Sequence, residues 1–253
     1  MGEADWPGLS VRSLSVAFGG IVALDRVNLD VAPGEAVGLV GPNGAGKSTI
    51  VNCVGGQLEP RSGSISLDGV LIDHLAPYRR ARLGVGRTFQ RVALFPQMSV
   101  EDHLLVSLRA TKPRLTMVAD RGRPRDDERQ VLESVLAELH LSDHRDALVA
   151  TLPLALCRLV EVGRALVGRP KVLLADEPSS GLDPQEAAML GHVLRSLAGQ
   201  GIGLLLVEHD LSMVSSVCDR VIVLHLGRII AQGPYGSVMS EPEVRRAYLG
   251  EVA

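Results

Sequence analysis

The chain has 253 residues, 46% of them hydrophobic and 22% charged, which suits an ordinary globular protein with a sizeable buried core. A formal net charge of -3 leaves no electrostatic footprint for nucleic acid, and no apolar run approaches the ~20 residues that span a bilayer, so direct membrane insertion is not expected. Cys53, Cys157 and Cys218 lie far apart without metal-ligand spacing, as reduced thiols of a cytoplasmic protein do, and MGEADWPGLS lacks the basic region and apolar core of a signal peptide.

Leu9 to Val31 alternate in short apolar stretches around Gly19-Gly20, which predicts two antiparallel strands. Phe18 precedes the turn and suits either a core position or, if exposed, a platform for an adenine ring. The apolar run Ala36 to Val40 then leads into GPNGAGKST, Gly41 to Thr49, which fits G-x-x-x-x-G-K-[ST] and predicts strand, loop and helix in that order. Gly41, Gly44 and Gly46 let backbone N–H groups of the loop, with Pro42, Asn43 and Ala45 between them, curl around phosphate oxygens. Lys47 reaches the β- and γ-phosphates, Ser48 supplies a hydroxyl for Mg²⁺, and the helix entered through Thr49 points its positive end at the anion.

Ser64 to Leu67 reads as a strand closed by the tight turn Asp68-Gly69, and Tyr78 to Arg82 as a basic, solvated helical face. GVGRTFQ places Gln90 at the end of a short strand. From Arg91 to about Gly163 the periodicity is helical, with amphipathic segments at Val100 to Arg109 and Val131 to Leu141. Between them, Ala110 to Gln130 is rich in Arg, Asp and Pro and reads as a mobile surface connection with solvated charges. At Lys171 the strand signal returns: VLLADEP ends an apolar run on Asp176 and Glu177, at the strand end where open α/β sheets bind ligands. Beside a phosphate loop, two such acids suit a Mg²⁺ carboxylate and a general base. Ser180 to Pro184 turns into a helix from Glu186 to Leu197, and the strand Leu204 to Val207 delivers Glu208, His209 and Asp210 to the same edge. Its strand-end position favours a functional reading of His209 over a structural one. Val221 to Leu226 is a further strand and Glu241 to Leu249 a closing helix.

Taken in order, Phe18, GPNGAGKST, Gln90, VLLADEP, SGLDP at Ser180 to Pro184 and His209 make the chain resemble the ATP-binding subunit of ABC transporters along nearly its whole length. The resemblance implies a P-loop NTPase α/β fold: a mostly parallel sheet, an N-terminal antiparallel β subdomain and an inserted α-helical subdomain. Residues 1–253 would form one ABC ATPase domain, with about 1–88 and 164–253 as the nucleotide-binding core and about 89–163 as the helical subdomain. It further implies that Phe18 stacks on adenine, that Gly41 to Thr49 hold the phosphates of ATP, and that Ser48, Gln90 and Asp176 serve Mg²⁺. Glu177 would be the general base, Gln90 the Q-loop residue, Asp183 the D-loop acid and His209 the switch histidine.

GRTFQRVALFPQMSVEDHLLV and EVRRAYLG are similar to the ATPase subunits of branched-chain amino-acid importers, and the lipopolysaccharide-exporter ATPase has a similar tail. One departure is large. The family signature LSGGQ falls on Leu152, Pro153, Leu154, Ala155 and Leu156, and only the first Leu survives. In the family this segment contacts the γ-phosphate held by the opposite subunit, whereas Pro153 has neither hydroxyl nor N–H and Leu154 and Leu156 are apolar. Thr151 is left to cap the helix. The resemblance therefore implies an importer ATPase on the inner face of the cell membrane, bound to permease subunits and paired with a second ATPase of intact signature. A weakly hydrolysing, nucleotide-gated regulatory subunit is the alternative.

Overall fold

All five residues of Ala36–Val40 (β3) are buried, a pattern that requires cover on both faces of its sheet. The computed structural model, which describes residues 7–88, 93–111 and 124–249, supplies that cover. β3 lies inside a six-stranded sheet ordered β10-β9-β3-β8-β7-β6, built with Val85–Arg87 (β6), Val172–Asp176 (β7), Gly203–Val207 (β8), Arg220–His225 (β9) and Arg228–Gly233 (β10). Its pairings are parallel except for β9 with β10. A second sheet, ordered β2-β1-β4-β5, joins Leu9–Phe18 (β1), Ile21–Val31 (β2), Ser62–Leu67 (β4) and Val70–Leu71 (β5) in antiparallel pairs.

Side-chain alternation divides the core. On β7 and β8, Leu173, Ala175, Leu204 and Leu206 face one cluster with Leu104, Leu136, Leu159 and Leu194. Val172, Leu174, Leu205 and Val207 face the other, with Leu24, Leu39 and Ile50. The first cluster is roofed by Val100–Thr111 (α3), Asp126–Glu138 (α4), Leu154–Leu166 (α5) and Pro184–Gly199 (α6). The second lies between the two sheets and Lys47–Gly55 (α1). Leu211–Val217 (α7), Tyr235–Ser240 (α8) and Pro242–Leu249 (α9) cover the β9–β10 end, where Val244 is buried against Val40, Val223 and Val238.

Two charged segments depart from the expectation of solvated faces. Pro77–Leu83 (α2) exposes Tyr78, Arg79 and Arg82, but Arg80 is only 2% exposed. Its guanidinium donates to the carbonyls of Cys53 and Val54 at 2.5 and 3.0 Å, of Asp73 at 2.7 Å and of Leu75 at 2.8 Å. The last turn of a helix leaves carbonyls without intrahelical donors, and a five-donor fork beside the end of α1 satisfies them. Likewise residues 126–130 belong to α4, not to a surface connection, and Glu128 is buried. It accepts from the Arg125 backbone N–H at 3.1 Å and from Arg109 Nη2 at 2.9 Å, closing the first turn of α4 onto α3. Gln90 and residues 112–123 lie outside the described residues.

Candidate active site

The order of the parallel strands decides what meets at the carboxyl edge of the large sheet. β3, β8, β7 and β6 are successive neighbours, so the loop at Gly41, the Glu208-His209 pair, the Asp176-Glu177 pair and Thr88 emerge side by side. Residues far apart in the chain become one rim. Such a rim is where open α/β sheets bind ligands.

The loop begins directly after β3 and runs into α1. Gly46, at φ 109°, is the residue before α1, and a Cβ there would stand 2.7 Å from the Ala23 carbonyl oxygen of β2. At Gly44, φ 78°, a Cβ would meet nothing within 4 Å, so it is the left-handed backbone and not crowding that favours glycine there. Lys47 is 6% exposed and donates from Nζ to the carbonyls of Gly41 at 2.6 Å and Pro42 at 3.0 Å. Burial holds its ammonium below the usual lysine value, against the pull of Glu177 and Asp176. Ser48 is exposed beside it in the first turn of α1, and Thr49 comes next, half-buried.

Asp176 ends β7 and is 4% exposed. Arg87 Nη2 approaches its Oδ2 at 3.4 Å while also donating to Asn52 Oδ1 of α1 at 2.8 Å. Burial pushes the Asp176 carboxyl up, with Arg87 opposing and Glu177 adding to the rise. Its Oδ1 is buried without a hydrogen-bond partner, and so is the hydroxyl oxygen of Thr88. Orphaned buried oxygens are uncommon in a settled core. Asp176 Oδ1 and the Ser48 hydroxyl are hard oxygen donors of the kind Mg²⁺ takes alongside substrate phosphates, so these residues fit that ion.

Glu177 follows in a left-handed conformation, φ 48°, with its N–H on the Val207 carbonyl of β8 at 2.8 Å. Its Oε1 lies 2.5 Å from His209 Nε2. Glu208, itself buried, accepts from the backbone N–H groups of Ser179 at 2.8 Å and His209 at 3.1 Å, and so ties the loop after β7 to the loop after β8. The sequence places Glu208 at this edge without giving it a role, and does not single out Arg87. Asp183 is engaged with its own helix: its Oδ1 accepts from Gln185 and Glu186 N–H at 2.8 and 2.9 Å, capping α6.

Phe18 is 52% exposed at the tip of the β1–β2 hairpin, beside exposed Ile21 and Val22, so it is not a core residue. The same hairpin carries Ala23 against Gly46. Leu152 to Leu156 lie at the start of α5, with Pro153 as the flanking residue and no side-chain cap. Thr151 does not cap the helix, because its hydroxyl donates to the Leu148 carbonyl at 2.7 Å instead. Leu154 is 39% exposed, and its Cδ2 stands 3.0 Å from where a Cβ on Gly181 would be.

A family model described as ABC transporter matches residues 24–180, more than half of the chain. The chain belongs to the ABC transporter family. It is an ATP-hydrolysing cassette with the P-loop α/β fold. A second model, Branched-chain amino acid ATP-binding cassette transporter, matches residues 228–253. The chain is 36% identical over 251 residues to the high-affinity branched-chain amino acid transport ATP-binding protein BraF of Pseudomonas aeruginosa, covering 97% of this chain and 98% of that one. It is 37% identical over 243 residues to the lipopolysaccharide export system ATP-binding protein LptB of Acidithiobacillus ferridurans, covering 96% and 97%. Among solved structures, the ADP conformation of an ATP-binding cassette of an ABC transporter superposes with a TM-score of 0.85 at 31% identity, covering 96% of this chain and 98% of that one. Among the described residues no helix is long and apolar enough to cross a membrane.

Proposed function

We propose that this cassette is the energy-coupling subunit of an importer for branched-chain amino acids or related small polar solutes. It works as a peripheral protein on the cytoplasmic face of the membrane, held by transmembrane permease subunits. The observation that carries the catalytic part is the Glu177–His209 contact, made across the ends of β7 and β8, of which β8 adjoins the strand that leads to Lys47. The substrate part is supported by the likeness of residues 228–253 and of the whole chain to branched-chain amino-acid transport cassettes. The similarity to LptB supports a second reading, in which the cargo is a lipopolysaccharide.

In the proposed mechanism, Lys47 exchanges its Gly41 and Pro42 carbonyls for the β- and γ-phosphates of ATP, while loop N–H groups from Gly41 to Thr49 surround the remaining oxygens and exposed Phe18 stacks on the adenine. Ser48 and Asp176 would hold Mg²⁺, with Gln90, outside the described residues, assigned there by resemblance alone. When bound, the ion neutralises charge developing on the transferred phosphoryl group. Glu177 orients the attacking water and takes its proton, and His209 fixes the Glu177 carboxylate on the rim. Asp183 is assigned to the contact between subunits.

The start of α5 sets the proposed stoichiometry. In a homodimer both nucleotides would face Pro153, which has no N–H, and half-exposed Leu154. Only the uncapped first turn of α5 would remain to attract the phosphate. We therefore assign this chain to a heterodimer whose second ATPase brings an intact signature to Lys47, Glu177 and His209. Co-expression with candidate permease subunits, reconstitution into vesicles and measurement of ATP-driven uptake test the reading. Uptake of leucine or a related small solute is expected, and ATP-dependent extraction of lipopolysaccharide without amino-acid uptake would replace it with the second reading.

A further inference from the structure

Although its signature residues are lost, α5 carries a buried ion pair in its next turn. Arg158 and Glu161 are 5% and 4% exposed, and Arg158 Nη1 donates to Glu161 Oε2 at 3.1 Å. Neither is spent on the other alone. Glu161 Oε1 accepts the backbone N–H of Ala93 at 3.1 Å, and Arg158 Nη2 donates to the backbone carbonyl of Ser180 at 2.9 Å. Arg164, on the same helix, donates to the Ala93 carbonyl at 2.8 Å. Both backbone polar groups of Ala93 are thus gripped by α5.

Each gripped point lies a few residues beyond a strand end of the nucleotide rim. Ala93 stands five residues after Thr88, and Ser180 three residues after Glu177, whose carbonyl accepts the Ser180 N–H at 3.2 Å. Leu154, at the start of α5, rests on Gly181 in the same turn. Removing two charges from water is unfavourable, and burial pushes the Glu161 carboxyl up despite Arg158, so packing alone does not favour ions here. What the pair supplies is directed hydrogen bonds to two backbone segments, which an apolar pair of the same volume would not make.

We propose that Arg158 and Glu161 are positioning residues that make α5 a tie-bar within its own subunit, so that the segment at Ala93 and the turn at Ser180–Gly181 change conformation together when MgATP binds. The proposal rests on the reading of the loop Gly41 to Thr49 as the ATP site. It gives α5 a role that survives loss of the signature, because the contacts are made inside one chain.

Hydrogen–deuterium exchange of the full-length chain, with and without saturating MgATP, tests it on three peptides, residues 41–49, 93–99 and 178–183. In the unsubstituted chain MgATP should slow exchange in all three. Arg158→Lys keeps the charge but lacks the fork that reaches Glu161 and Ser180 together. It should leave the response of residues 41–49 and 93–99 intact and reduce that of residues 178–183 by on the order of tenfold. Glu161→Met, which removes the acceptor of the Ala93 N–H, should separate residues 93–99 from the others in the same way. An unchanged response of residues 178–183 in Arg158→Lys, or equal loss in all three peptides of both variants, would overturn the tie-bar. Absence of any MgATP effect on residues 41–49 of the unsubstituted chain would instead overturn the assignment of the ATP site.

Discussion

Glu177 Oε1 and His209 Nε2 meet at 2.5 Å across the ends of two neighbouring parallel strands, β7 and β8. The contact is not left to two flexible side chains. The Glu177 N–H is held by the Val207 carbonyl, and Glu208 accepts N–H groups from both loops, so the carboxylate is fixed from its backbone outward. A general base contributes about 10² to 10⁴ in rate when it is held within reach of the proton it takes. Glu177→Gln should therefore retain MgATP binding and lose hydrolysis by about that factor. His209→Ala, which frees the carboxylate without removing it, should lose less. Steady-state turnover and calorimetric titration of each variant check this, and a Glu177→Gln enzyme with unaltered turnover would remove the residue from the role.

Lys47 is buried with its ammonium on the carbonyls of Gly41 and Pro42, within the electrostatic reach of Glu177 and Asp176. Lys47→Ala should weaken MgATP binding by at least tenfold, as loss of one charge-assisted contact does (about 1.5–3 kcal/mol). Calorimetry reads the change directly. Equal affinity in the two proteins would mean that the phosphates do not reach this loop.

Arg80 should matter for stability rather than for chemistry. Its replacement by methionine fills part of the volume but leaves the carbonyls of Cys53, Val54, Asp73 and Leu75 without its donors. A loss of about 3 kcal/mol is expected from unsatisfied buried acceptors. Thermal unfolding should show a midpoint lower by several degrees, with MgATP affinity of the folded protein little changed.

His103 gives the fold a pH dependence of definite sign. It is 2% exposed, with Nδ1 2.9 Å from the Ser99 carbonyl and Nε2 accepting the Phe95 N–H at 2.8 Å, an arrangement that only the neutral ring satisfies. Burial, aided by Arg164 and opposed by the Ser99 contact and Asp102, holds its pKa below the ordinary 6.5. The folded state thus binds a proton less readily than the unfolded state. Stability from this residue is complete above the ordinary value and falls as pH drops below it. Melting midpoints measured from pH 7.5 to 5 should decline, and His103→Gln should flatten part of that decline.

The rim is largely legible in the sequence, because its chemistry is written in short local patterns. GPNGAGKST, VLLADEP and His209 each mark the end of a strand and the loop beyond it, and parallel strands send those ends to one edge. Charges whose partners are remote in sequence escape such a reading. Arg80 reaches back 27 residues to Cys53, and Glu161 reaches 68 residues to Ala93, so neither leaves a local signature. Thr151 fails as a cap for a local reason, since its hydroxyl closes the preceding turn on Leu148. Glu128 carries a recognisable signal, standing three residues after the residue that flanks α4, but without a Ser, Thr, Asp or Asn there the capping pattern is incomplete.

The start of α5 bears most directly on the central claim, that this chain brings a working Lys47, Glu177 and His209 to a partner whose signature is intact. Loss of a single preorganised donor to developing charge costs on the order of 10² to 10³ in rate; Pro153 lacks both the hydroxyl and the N–H of the family serine, and Leu154 adds apolar bulk. The decisive measurement is ATP turnover in the reconstituted complex with the general-base Glu changed to Gln in one ATPase subunit at a time. The account predicts that Glu177→Gln abolishes turnover while the same change in the partner leaves it nearly intact. Equal loss from either substitution, or brisk hydrolysis by this chain as a homodimer, would contradict it.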